Sequence, residues 1–210
     1  MKKHQDRFLQ RTLIALTNAL NTPELLAALA RFTYDAAAIK EALAIHARIE
    51  TLTQQREQAL EAQYQTTQLL NQAKEELLYL FKIHADTARL AYRREAQYQD
   101  TLNLSAAAPR ETAACLRHIK RFYAHVPAAM MAKYHVPQKE LAQSAKLQQR
   151  VQEVLALQKK TMSQPQQLTQ ARQQALTELQ TWMRRFDKTA RLAFDDQPQQ
   201  LEALGTMVRG

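Results

Sequence analysis

The chain has 210 residues, 46% of them hydrophobic, and its 29 Lys and Arg against 20 Asp and Glu give a formal net charge of +9. With a mean hydropathy of -0.49, this composition fits a folded, soluble chain and excludes a disordered or multi-span membrane protein. The only two glycines, Gly205 and Gly210, argue against hairpin-rich β folds and phosphate-cradling loops, and the lone Cys115 leaves no intramolecular disulfide and no thiolate zinc cluster.

From the N-terminus, the spacing of Phe8, Leu9, Leu13, Leu16 and Leu20 predicts an amphipathic helix. Its positively charged start lacks a long apolar stretch and a small-residue cleavage site. The longest apolar run, Leu25 to Ala30, falls far short of the roughly 20 residues that cross a bilayer, so no membrane span is expected, and the single cysteine leads to the expectation of a reducing, cytoplasmic location. Thr22 and Pro23 are an N-cap and first helical residue for a short helix, LLAALARF. Asp35 is the next N-cap, with Tyr34 and Ile39 placed as a hydrophobic staple.

Between Asp35 and about Glu95 there is no proline or glycine, and a stripe runs through Ile39, Leu43, His46, Ile49, Leu52, Arg56 and Leu60 into Leu70, Ala73 and Leu77. One helix of that length is expected here in preference to a hairpin, because no turn residues mark a midpoint. The stretch Thr67 to Tyr92 returns without a gap as Thr169 to Phe194, with 11 of 26 positions identical at an offset of 102. Such self-similarity predicts a duplicated structural unit. Both copies carry one apolar stripe, Leu77, Leu80, Phe81, His84, Ala88, Ala91 and then Leu179, Trp182, Met183, Phe186, Ala190, Ala193, at steps of three and four. On the outer face Lys82, Asp86 and Arg89 alternate in sign, whereas Arg184, Lys188 and Arg191 are all basic. The repeated Arg89 and Arg191 invite a shared packing role or an ion pair to a neighbouring helix. Trp182, Tyr79 and Tyr92 read as core or groove residues.

Asn103 to Thr112 is the linker between the copies. A helix with Cys115, Ile119, Phe122 and Val126 on one side follows, and Pro127 and Pro137 bracket the segment AAMMAKYH, the counterpart of LLAALARF. The second long element resumes at Gln138 through Leu141, Ala145, Val151 and Val154. Pro165 is expected to bend it or to restart it after Ser163. Pro198 is expected to end it, with LEALG as a last turn and Gly205 as a C-terminal cap.

Residues 1–105 hold 13 basic and 12 acidic side chains and residues 106–210 hold 16 and 8, so the second copy carries the basic character. Arg117, Lys120, Arg121, Arg184, Arg185, Lys188 and Arg191 form a candidate basic binding surface. Cys115, His118, His125 and His135 are spread too far along the chain to share an ion, and no Glu-x-x-His pair of a di-iron bundle occurs. His84 replaces Phe186 in the stripe and reads as a core histidine. With no nucleophile elbow, phosphate loop or meaningful triad spacing, no catalytic residue, cofactor or metal is expected, and the chain is not expected to be an enzyme.

The run Thr169-Gln170-Ala171-Arg172, Leu179, Trp182-Met183, Phe186, Ala190-Arg191-Leu192-Ala193 and Leu201-Glu202-Ala203-Leu204-Gly205 resembles a group of uncharacterised bacterial all-helical proteins with a duplicated helical unit and no assigned activity. Where those proteins often have glycine before the long helix, this chain has Thr33 and His135. The expected architecture is all-α: two pseudo-symmetric repeats, residues 1–104 and 105–210, packed together as an elongated antiparallel helical bundle or coiled coil. The expected role is a scaffold or protein-interaction module with a protein partner or self-association. The alternative is sequence-independent nucleic-acid binding by the basic second repeat.

Overall fold

The computed structural model describes residues 2–205 and is all-helical, with no strand among the described residues. Eight helices follow in order: α1 Lys2–Asn21, α2 Pro23–Ala30, α3 Ala36–Ala91, α4 Ala96–Thr101, α5 Thr112–His125, α6 Ala128–Lys133, α7 Gln138–Ala193 and α8 Pro198–Ala203. Both long elements are single helices of 56 residues. Pro165 sits inside α7 without ending it. The proline has no N–H for the carbonyl one turn before it, and its own carbonyl accepts from the Thr169 hydroxyl at 2.7 Å.

The helix ends show how local sequence sets the path. The Asp35 carboxylate accepts from the Ala38 N–H at 2.9 Å, the expected N-cap of α3. α2 and α6 end in the same way. Thr33 and His135 take left-handed φ of 72° and 62°, while Tyr34 N–H reaches Leu29 O and Val136 N–H reaches Met131 O. This is the Schellman closure, a conformation glycine adopts most cheaply, and for threonine or histidine it costs about 1 kcal/mol. α4 closes likewise, with Asn103 at φ 51° and Leu104 N–H bonded to Gln99 O, and Gly205 takes φ 71° after α8. α3 and α7 begin and end 102 residues apart, as do α4 and α8. The left-handed residues pair at the same offset, Thr33 with His135 and Asn103 with Gly205.

The chain divides into two compact units: residues 1–59 with 164–210, and residues 60–163. These boundaries cut across the sequence halves 1–104 and 105–210, because each unit takes its α3 portion from the first half and its α7 portion from the second.

In the first unit, α1, α2 and α8 pack on the beginning of α3 and the end of α7. The core gathers Leu16, Leu25, Ile39, Ile49, Leu176, Leu179 and Phe186. Within it α3 and α7 run antiparallel: Arg56 donates to Thr169 at 2.9 Å and Arg172 to Thr53 at 2.8 Å, so a step forward on one helix is a step back on the other. Trp182 stacks on Phe186 and Tyr34 meets both edge-on, with centroids 5.2 to 5.4 Å apart. No single described helix is long and apolar enough to cross a membrane. α1 and α2 meet at 93°, and their apolar side chains Leu16, Leu25 and Leu29 are buried in this core.

In the second unit, α4, α5 and α6 pack on the end of α3 and the beginning of α7 around Leu77, Phe81, Tyr92, Ile119, Phe122, Met131 and Val151. The antiparallel pairing is again direct, with Arg150 on Glu76 at 2.9 Å and Gln158 on Thr67 at 3.3 Å.

Four local expectations are corrected. Leu13 is exposed, because the buried face of α1 runs through Thr12, Ala15, Leu16 and Ala19. Tyr79 is 72% exposed and belongs to no core. Pro198 opens α8 at its first turn, where its missing N–H costs nothing, rather than ending α7, which has already stopped at Ala193. Arg89 pairs with Asp86 on its own helix and donates to the Leu104 carbonyl at 2.9 Å, so it ties α3 to the segment after α4 instead of bridging to an acidic side chain on another helix.

Candidate functional site

α5 positions the first group of basic residues. Its N-cap is Glu111, whose carboxylate accepts from the Ala113 and Ala114 N–H groups at 2.9 and 2.6 Å, and these bonds hold its carboxyl below the usual range. Cys115, Leu116, Ile119 and Phe122 turn into the core. Arg117 and Lys120 are thereby directed outward along one edge. α7 runs beside this edge, and together the two helices bound a groove of about 380 Å³. It is lined by the apolar Ala113, Leu116, Leu155 and Ala156 and by the cations Arg117, Lys120 and Lys159, with Gln152 beside them. Arg121 does not line the groove and lies near His118, whose protonation is disfavoured first by burial and then by the Arg121 charge.

The second group is on α7 in the other unit. Arg184, Arg185, Lys188 and Arg191 line one shallow surface of about 540 Å³ with Thr181 and Asp187. Burial raises the Asp187 carboxyl above its usual value, with Arg11, 4.0 Å away, and Arg191 opposing that shift. Six of the seven basic residues singled out from sequence therefore line two surfaces, one in each compact unit, and Arg121 lines neither. Lys159 was missed: it lies more than 30 residues from α5, and only the α5–α7 packing brings it to Arg117.

A polar cluster interrupts the core of the second unit. His84 is fully buried; its Nδ1 lies 2.8 Å from the Tyr123 hydroxyl and its Nε2 lies 3.5 Å from Glu140 Oε2. The Nδ1–Tyr123 contact is a hydrogen bond, whereas Nε2, 3.5 Å from the carboxylate, has no hydrogen-bond partner among the described residues. Burial pushes the Tyr123 hydroxyl well up, with a hydrogen bond to Ser144 opposing. The Asn103 amide donates to His118 Nδ1 at 3.2 Å, while His118 packs edge-on against Phe81. At the repeat offset, His84 corresponds to Phe186 and Ser144 to Ala42, both packed in the apolar core of the first unit. No cavity opens onto His84 among the grooves described above.

Comparison with protein families, characterised proteins and solved structures gives no match. The residues themselves must carry the functional reading.

Burial lowers the affinity of both His84 and His118 for a proton. Unfolded, each titrates near pH 6.5; folded, each stays neutral to lower pH. Below about 6.5 the unfolded chain takes up protons that the folded second unit refuses, so this unit loses stability as the pH falls. Asp187 acts in the opposite sense. Its folded carboxyl binds a proton more readily than the unfolded one, so the first unit gains stability as the pH falls through that raised value. Trp182, the one tryptophan, reports on the first unit. Urea unfolding at pH 7.5 and 5.0 is expected to show the amide-exchange midpoint of residues in α5 moving down more than the Trp182 fluorescence midpoint. Equal movement of the two would contradict this assignment.

Proposed function

We propose that this chain is a duplicated, non-enzymatic helical interaction module that docks an acidic amphipathic helix of a partner protein in the α5–α7 groove. The observation that carries the reading is the composition of that groove, four apolar side chains and three cations among its lining. Apolar lining takes the hydrophobic stripe of a helix, and cations beside it favour carboxylates flanking that stripe while repelling basic helices. Both walls offer about two helical turns, from Ala113 to Lys120 and from Gln152 to Lys159. The coincidence of helix ends and left-handed residues at a 102-residue offset supports the duplication.

The test uses a labelled 14-residue peptide with leucines at helical spacing and glutamates elsewhere, against the same peptide with lysines. Anisotropy is expected to report binding of the glutamate peptide only, weakened about tenfold, ~1.4 kcal/mol, by Arg117→Glu with Lys159→Glu. Equal binding of both peptides, or no effect of the charge reversals, would remove this reading.

A further inference from the structure

We infer that the outer face of α7 from Thr181 to Arg191 is a binding ridge for the phosphodiester backbone of nucleic acid. This site lies in the other compact unit from the groove and does not depend on it. At 100° per residue, Arg184, Arg185, Lys188 and Arg191 fall within about 120° of the helix circumference. All four are exposed. Along the axis, Arg184 to Lys188 rises about 6 Å and Lys188 to Arg191 about 4.5 Å, which sets a file of cations on one straight support.

The comparison with α3 shows what is unusual about this face. At the same offset α3 has Lys82, Ile83, Asp86 and Arg89, and there Asp86 and Arg89 neutralise each other. In α7 Lys188 stands in place of Asp86, and no carboxylate pairs with Arg184, Arg185 or Lys188 among the described residues. The one acid lining the face, Asp187, is turned toward α1 and faces Arg11. Four cations held side by side repel one another, and a polyanion relieves that repulsion while releasing its own counterions. Guanidinium groups bind phosphate oxygens through paired N–H donors, which suits a repeating phosphate. A bilayer surface is the less suitable polyanion: among the described residues of α7 from Thr181 to Ala193, Leu192 is the one large apolar side chain that is exposed, too little to insert among lipid chains.

The experiment is anisotropy of labelled 20-mer duplex DNA and of single-stranded RNA with the full chain between 50 and 200 mM salt. Four phosphate contacts on a duplex predict an affinity loss of about 10²-fold over that range. Arg184→Gln with Arg185→Gln and Lys188→Gln, folded as judged by circular dichroism, is expected to abolish binding at 50 mM salt and to flatten the salt slope. Arg117→Gln with Lys120→Gln is expected to leave it unchanged. Absence of binding at 50 mM salt, binding that survives in the α7 variant, or equal loss in the α5 variant overturns the assignment. So does preferential binding to vesicles of phosphatidylserine and phosphatidylcholine.

Discussion

Cutting the chain between Ala106 and Ala107 is expected to leave the two pieces bound to each other. Both residues are exposed in the segment between α4 and α5, so a protease site inserted there should not disturb either core. After cleavage, residues 1–106 retain only α1, α2, α3 and α4. Each compact unit is then missing half of its apolar side chains. The first unit loses Leu176, Leu179, Met183 and Phe186; the second loses Ile119, Phe122, Met131 and Val151. At about 25 cal/mol per Å² of buried apolar surface, neither fragment can hold a half core against the entropy of ordering its chain. The cut removes only the advantage of covalent linkage, a high effective concentration. Gel filtration at micromolar concentration is therefore expected to show both fragments in one peak of the intact size. Fragments separated in denaturant and refolded singly should be unfolded or self-paired. Two folded monomeric fragments would mean that each sequence half is its own domain.

The residues that gave away the long helices were those whose physics is local. The apolar stripe from Leu77 to Ala91 and the matching stripe from Leu179 to Ala193 fall on one helix face by spacing alone, and their six positions show the same order of buried and half-buried side chains. Asp35 and Pro23 act within one turn of where they stand. α4 was missed because nothing punctuates its start: Tyr92 to Arg94 form a turn without glycine or proline, whereas Pro198 marks its counterpart α8. Of the two outcomes expected at Pro165, a bend or a restart, the restart does not occur: α7 continues through the proline as one helix.

The candidate sites were less legible for a different reason. Charge is visible in sequence, but adjacency is not. Arg184 to Arg191 share one helix, and their spacing alone places them together. The groove joins α5 to a part of α7 more than 30 residues away, so neither Lys159 nor Leu155 could be paired with Arg117 before the fold was known. Arg172 is a similar case. It lies within the repeated stretch, yet its bonds to Thr53 and Gln5 span 119 and 167 residues. Tyr79 shows the reverse error: an aromatic next to the stripe reads as core until the helix phase is fixed by its neighbours.

Phe122→Ala and Phe186→Ala are expected to be the most damaging single substitutions, one in each unit. Phe122 is 0% exposed and Phe186 1%. Phe122 packs edge-on against Phe81 and Tyr123 at 5.2 and 5.1 Å, and Phe186 lies between Trp182 and Tyr34. Removing either ring loses its transfer free energy and leaves a cavity that helices fixed by other contacts cannot fully close, about 3–5 kcal/mol. The lost edge-on and stacked contacts add to the area term. At roughly 4–8 °C per kcal/mol for a unit of about 100 residues, the midpoint of the affected unit should fall by more than about 10 °C. Trp182 separates the two cases. Its fluorescence midpoint should drop for Phe186→Ala, while the loss for Phe122→Ala should appear in amide exchange of α5 and the end of α3. Tyr79→Ala is the internal control, expected within about 0.5 kcal/mol of the parent because its ring is in solvent. A large loss from Tyr79→Ala, or a small one from both phenylalanine variants, would show that the cores are not packed as described.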